Sequence, residues 1–252
     1  MPHRLLLVIF MSCLLGCQPA RYDVLVVAAS ANLRFAMEEI AAAYTGQTDI
    51  PCEMTVSSSG KLTAQIIAGA PYDVFLSADM KYPDTLHLLG LTDGKPAVYA
   101  YGSLVVWSGK TDSLTSLHDL TGPLIRHVAL ANPRNAPYGY AAEQVLRKAG
   151  IYDRIASKLV FGESISQVNQ FVMSGAVQAG FTSRSTVLAG RIGNYGSWFE
   201  VPDSLYDPIV QGVALLPRHP EKAQAREAFR NFLFSEEGTA ILDKFGYTPV
   251  VQ

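Results

Sequence analysis

Cysteine, histidine and charge are all scarce in this chain of 252 residues. Two of its three cysteines, Cys13 and Cys17, lie near the N-terminus; with that segment set aside Cys52 stands alone, which excludes an intramolecular disulfide. The five histidines, at 3, 87, 118, 127 and 219, show no ligand-like pairing, so no protein-ligated cation is expected. Charged residues make up 17% and the formal net charge is −2, which excludes a globally basic nucleic-acid binder. Tyrosine and tryptophan are not interleaved with basic clusters either. Beyond the N-terminal segment no apolar run approaches the ~18 residues of a membrane-spanning helix. Apolar residues nonetheless reach 49%, enough for one large core or two modest ones.

The N-terminus reads as a targeting signal. His3 and Arg4 precede an apolar run, Leu5 to Leu15, interrupted only by Ser12. That run is too short to span a bilayer and suits the hydrophobic part of a signal peptide. It ends in Leu14-Leu15-Gly16-Cys17, which resembles the bacterial lipoprotein cleavage box. The resemblance implies a signal segment over residues 1–17 and a lipid anchor on Cys17, with ordinary cleavage near Ala20 as the alternative. The chain is then exported, and the lipidated form is tethered on the periplasmic or cell-surface side of a membrane.

Downstream, strand-like and helix-like segments alternate. Val24 to Ala29 is a continuous apolar run, as expected of a strand buried on both faces. Leu33, Ala36, Met37, Ile40 and Tyr44 follow at helical spacing, with Asn32 at the N-cap position and Gly46 as the stop. Cys52–Val56 predicts a second strand, and Leu62, Ile66 and Ile67 mark the apolar side of the next helix. Asp73–Asp79 predicts a third strand. Leu104–Trp107 reads as a crossing into a second lobe, where the alternation resumes. There His127–Ala131, Leu159–Phe161 and Ala179–Thr182 predict strands. One helix runs from Pro137 to Gly150; another ends at Gly175, with Ser164 and Gln167 at capping-box spacing. Ile209–Leu216 reads as the return crossing, and helices over about 222–234 and 236–245 close the chain. The pattern is α/β, with parallel strands and crossover helices. One lobe is expected over 22–102 plus 213–252 and the other over 103–212.

Within this order, Val56-Ser57-Ser58-Ser59-Gly60-Lys61-Leu62 places three hydroxyls where a strand gives way to a helix. Small hydroxylated residues there leave the first helical N–H groups as a seat for an anion. Asn32, Tyr138 and Ile165 stand at comparable junctions, beyond the carboxyl ends of predicted strands, where open α/β sheets bind ligands. Ordinary helix capping accounts for any one of them equally well. Other chemistry finds less support. Ser58 and Lys61 form an S-x-x-K, but neither S-D-N nor K-T-G follows, so a serine-dependent enzyme is a distant alternative. Gly60-Lys61 lacks the earlier glycine and the following Ser/Thr of a P-loop.

Several segments together resemble the molybdate-binding proteins of bacterial ABC importers. They are Asn32 to Ile40, Ser58-Ser59-Gly60-Lys61-Leu62, Gly69-Ala70-Pro71-Tyr72-Asp73-Val74-Phe75-Leu76-Ser77-Ala78-Asp79, and Asn132-Pro133 through Pro137-Tyr138-Gly139. Gly162 to Gln167 and Phe245-Gly246-Tyr247 continue the match, which runs from about Tyr22 to Tyr247. The resemblance implies a two-lobed type II periplasmic-binding fold with two hinge strands, closing on one tetrahedral oxyanion. It implies no catalysis and no cofactor: molybdate or tungstate is held as the oxyanion by hydroxyls and backbone N–H groups. By position the contacts are Asn32, Ser59, Tyr138 and the backbone of Ile165, with Ala31 and Ser30 sharing the first loop. Some relatives carry a tyrosine where this chain has Ser183, so either Ser183 substitutes or Tyr138 supplies the phenol from the opposite wall; the second is preferred. The partners implied are the membrane permease of an ABC importer and a lipid anchor, with no nucleic acid and a monomeric chain. A receptor for sulfate or phosphate is the nearest alternative: sulfate, like molybdate, needs only donors, and hydrogen phosphate also needs an acceptor, for which Glu163 is the one carboxylate beside a helix start.

Overall fold

The computed structural model describes residues 24–109, 114–189 and 195–250. The expectations for residues 1–17, including Cys17, lie outside the described residues. Two sheets organise the chain. The first carries strands β1 (Leu25–Ser30), β2 (Cys52–Ser57), β3 (Val74–Ser77) and β4 (Ala97–Gly102). The second carries β5 (Leu104–Ser108), β6 (Val128–Ala131), β7 (Leu159–Gly162), β8 (Ala179–Ser183) and β9 (Ser197–Glu200). The chain then returns to the first sheet with β10 (Ile209–Leu215) and β11 (Thr248–Pro249). The six-stranded order is β11-β4-β10-β3-β1-β2, and the five-stranded order is β7-β6-β8-β5-β9.

The two orders superpose in sense. In each sheet three strands are parallel, β2-β1-β3 and β7-β6-β8. Beside them lies an antiparallel strand that has just arrived from the other lobe: β10 next to β3, and β5 next to β8. These arriving strands lie wholly in the sheet they enter. Ile209 to Val213 pair with β4 and Gly212 to Leu215 with β3, so β10 is a central strand of the first sheet. The passages between sheets are therefore Ser103 alone and residues 201–208, which corrects the return crossing expected at 209–216 and the lobe limit expected at 212/213. Burial on both faces matches the mostly apolar sequence of β10, broken only at Gln211 and Gly212. Tyr206 staples the two passages: its hydroxyl accepts from Leu104 N–H at 3.2 Å and donates to Asp203 Oδ1 at 2.8 Å.

Helices cover the sheets. Those that matter for the site are α1 (Arg34–Thr48), α2 (Ser59–Ile67), α3 (Lys81–Leu88), α4 (Pro137–Lys148), α5 (Tyr152–Ile155), α6 (Ile165–Met173) and α7 (Arg184–Leu188); α8 (Ala223–Leu233) and α9 (Glu236–Lys244) pack behind the first sheet. Helical spacing holds for α1, whose Ala36, Met37, Ile40 and Tyr44 are buried. It fails at one point of α2: Leu62 and Ile66 are buried, but Ile67 is 51% exposed. Gly46 does not stop α1, which runs on to Thr48 and ends at left-handed Asp49.

Candidate functional site

Four helices begin at the gap between the lobes. The chain leaves β1 at Ser30 and enters a 3-10 turn, Ala31–Leu33, that continues into α1. Helix α2 starts at Ser59, α4 at Pro137 and α6 at Ile165. None of these four starts receives a hydrogen bond from a capping side chain. Gly60 N–H of α2 and the missing N–H of Pro137 apart, their leading N–H groups are left for another acceptor. Asn32 lies inside the first turn, so it is not the N-cap that its spacing suggested. At α6 the Gln167 side chain reaches back one residue too far for a capping box, accepting from Glu163 N–H at 2.7 Å.

The starts meet in pairs across the gap. Gly60 N–H at the head of α2 donates to Asn135 O, at 2.9 Å, just ahead of α4. Ala31 and Ser166 line one crevice of about 140 Å³, while Ala78, Ala136 and Pro137 line another of about 410 Å³. Ala31 and Ala78 of the first lobe share one apolar cluster with Tyr138 and Ile165 of the second.

Hydroxyls at these starts are buried and unpaired. Ser30 Oγ, Ser58 Oγ, Tyr138 Oη and Ser166 Oγ have no hydrogen-bond partner among the described residues. A buried donor left unmade costs about 1–3 kcal/mol, so four at one gap call for an acceptor. Ser59, fully buried, has its oxygen fixed by Ala78 N–H at 3.0 Å, which leaves its own proton to donate. Burial pushes the Tyr138 phenol well above the ordinary tyrosine range, and Tyr247, Tyr99 and Tyr206 push the same way. It is a neutral donor.

The remaining residues named from sequence divide. Ile165 is buried as the first residue of α6, with its N–H at the helix start. Asn32 is buried, but both amide protons are used: Nδ2 donates to Gln211 Oε1 and to Tyr247 Oη, each at 2.9 Å. Only its backbone N–H is left to offer. Ser183 Oγ is engaged by Ser185 Oγ at 2.9 Å and Thr186 Oγ1 at 3.0 Å, and reaches the Asn32 turn only through Ser185. Glu163 turns outward to Lys61, 3.1 Å away, with both side chains largely exposed. Lys61 is therefore not a base for Ser58. Among the described residues no group of His, Cys, Asp and Glu could hold a metal ion, and no helix is long and apolar enough to cross a membrane.

Sequence reasoning missed Ser58 and Ser166 as open hydroxyls, although each adjoins a chosen residue at its helix start. It also missed Gln211, Ser185 and Tyr247 around Asn32; Tyr247 is 215 positions away, and no local pattern links the two.

Two α/β lobes joined by two short passages, with neutral donors gathered at the gap, define a two-lobed periplasmic binding protein rather than an enzyme. The chain belongs to the family of bacterial extracellular solute-binding proteins, whose family model matches residues 25–248. It is 37% identical to the molybdate-binding protein ModA of Rhodobacter capsulatus over 230 residues, 91% of this chain and 90% of that one. It is 36% identical to the molybdate-binding protein ModA of Azotobacter vinelandii over 236 residues, 93% of each. The solved periplasmic molybdate-binding protein of Azotobacter vinelandii superposes with a TM-score of 0.84 at 33% identity, covering 90% of this chain and all of that one.

Proposed function

We propose that this chain is the extracytoplasmic receptor of a molybdate importer: it captures molybdate or tungstate between its lobes and presents the closed form to the permease of an ABC importer. The observation that carries the reading is the set of unpaired buried hydroxyls of Ser30, Ser58, Tyr138 and Ser166 at four helix starts drawn from both lobes. Ser59 adds a fifth proton, and Ala31, Asn32, Ser59 and Ile165 add backbone N–H groups. Moving a dianion out of water costs several kcal/mol even after relaxation. Each hydrogen bond to a charged group returns about 1.5–3 kcal/mol, and micromolar affinity needs about −8 kcal/mol in total. Donors from both lobes are therefore required, which ties binding to closure.

The same donors disfavour hydrogen phosphate, which must itself donate one proton. Glu163, the acceptor suggested for it, faces Lys61 and solvent. The test is a thermal-shift series on the full chain with molybdate, tungstate, sulfate and phosphate. A rise with the first two that grows with the logarithm of ligand concentration, about 3 kcal/mol at a hundredfold excess over Kd, is expected. A rise with sulfate or phosphate alone would reassign the ligand. The tether is proposed on Cys17: Cys17→Ser should release the protein from membranes, and unchanged fractionation would refute the anchor.

A further inference from the structure

Tyr247 lies near the end of the described chain, in a turn that bends at Gly246 (φ 75°) and packs against Arg184 and Leu188 of the second lobe. Its buried hydroxyl closes on both ends of Asn32. It accepts from Asn32 Nδ2 at 2.9 Å and donates to Asn32 O at 2.9 Å. The same carbonyl accepts from Ser185 Oγ of the second lobe at 2.6 Å, and Tyr247 Oη lies 3.2 Å from Ser185 Oγ. Gln211, on β10 at the mouth of the return passage, takes the other amide proton at 2.9 Å. Asn32 is thus held through its Nδ2 and its carbonyl, which leaves its backbone N–H as the donor it has to offer.

Such a clamp has a purpose beyond packing. The Ala31–Leu33 turn is three residues of 3-10 helix at the head of α1, with no side-chain cap to fix the directions of its first N–H groups. Donors aimed at an ion need placement to about 0.5 Å, supplied by groups that do not touch the ion. We propose that Tyr247 is a positioning residue for the oxyanion: it sets the Asn32 peptide, with Ser185 making that setting depend on the second lobe. This rests on the Ala31–Asn32 turn being a binding element.

The experiment is calorimetry of the full chain with molybdate for Tyr247→Phe, Ser185→Ala, Asn32→Ala, Ser59→Ala and Tyr44→Phe. Tyr44 is the comparison, a buried tyrosine near the far end of α1 whose hydroxyl donates to Ala225 O at 3.0 Å. Tyr247→Phe is expected to weaken binding about tenfold, to lower the ligand-free melting temperature by only a few degrees, and to combine less than multiplicatively with Asn32→Ala. Amide exchange in the bound protein should quicken at Ala31 and Asn32 but not at Ser59 or Ile165, a change that a general loss of packing does not produce. Tyr44→Phe should bind as the parent does. If Ser59→Ala is weakened while Tyr247→Phe binds normally, or if the Tyr247 and Asn32 penalties multiply, the clamp is refuted and the site stands. If Ser59→Ala also binds normally, the site itself is refuted. Should Tyr247→Phe fold poorly, Ser185→Ala removes the second-lobe half of the clamp and is read by the same exchange signature.

Discussion

A serine hydroxyl has one proton to give and two acceptor positions, and Ser59 commits only an acceptor position within the protein. Ala78 N–H occupies an acceptor position at 3.0 Å, which orients the oxygen and frees the proton. Replacing Ser59 with alanine removes a donor to a charged ligand and strands the Ala78 N–H as well. Ser59→Ala is predicted to weaken molybdate binding by about 10–100-fold, read by calorimetry. Lys61, two residues on, makes the opposite prediction. Its ammonium is 49% exposed and paired with an exposed Glu163, an arrangement worth about 0–1 kcal/mol. Lys61→Gln should leave affinity within about threefold; a hundredfold loss would mean that the ion uses a countercharge after all.

At the scale of elements, α2 lies very near the segment ahead of α4, with Gly60 N–H donating to Asn135 O at 2.9 Å. Gly60 makes that approach possible: a Cβ there would lie 2.9 Å from Asn135 O and 2.7 Å from the Tyr82 hydroxyl. Backbone cannot give way as a flexible side chain can. Gly60→Ala is predicted to hold the lobes apart, raising the molybdate Kd tenfold or more while the ligand-free melting temperature changes little. Scattering should show a more open bound form. This element was legible in the sequence, because the Ser-Ser-Gly run sits between an apolar strand and a periodic helix. The parallel strands and their helices were legible for the same reason. β4, β9 and α3 were not: Ala97–Gly102 and Ser197–Glu200 are half-exposed, mixed segments, and Lys81–Leu88 begins without a cap. The antiparallel pairing of β5 and β10 was not legible either, since it follows from the chain changing lobes and no residue pattern marks it. The Asn32 clamp escaped because its members come from β10, α7 and the turn after α9, and are brought together only by the finished fold.

Over the whole molecule, tyrosines in place of charges gather where the lobes join. Tyr99, Tyr138 and Tyr247 are buried there, and burial raises all three phenols above the usual tyrosine value. Tyr206, which staples the two passages, is pushed up to about 12, first by burial and then by Asp203. Unfolded tyrosine titrates near ~10. Below that pH folded and unfolded chains both keep these protons, and the stability associated with the neutral phenols is fully present. Above it the unfolded chain releases protons that the folded chain retains, so stability falls as pH rises toward the folded values. The urea midpoint is predicted to be steady through neutral pH and to drop steeply between about pH 10 and 12. Molybdate affinity should stay flat up to the edge of that window, because Tyr138 and the serines remain protonated donors. A Tyr206→Phe variant should lose less of its midpoint across the same interval, since one of the retained protons is gone. An affinity that instead declined between pH 7 and 9 would require a group titrating in that range at the gap, and the neutral-donor account would fail with it.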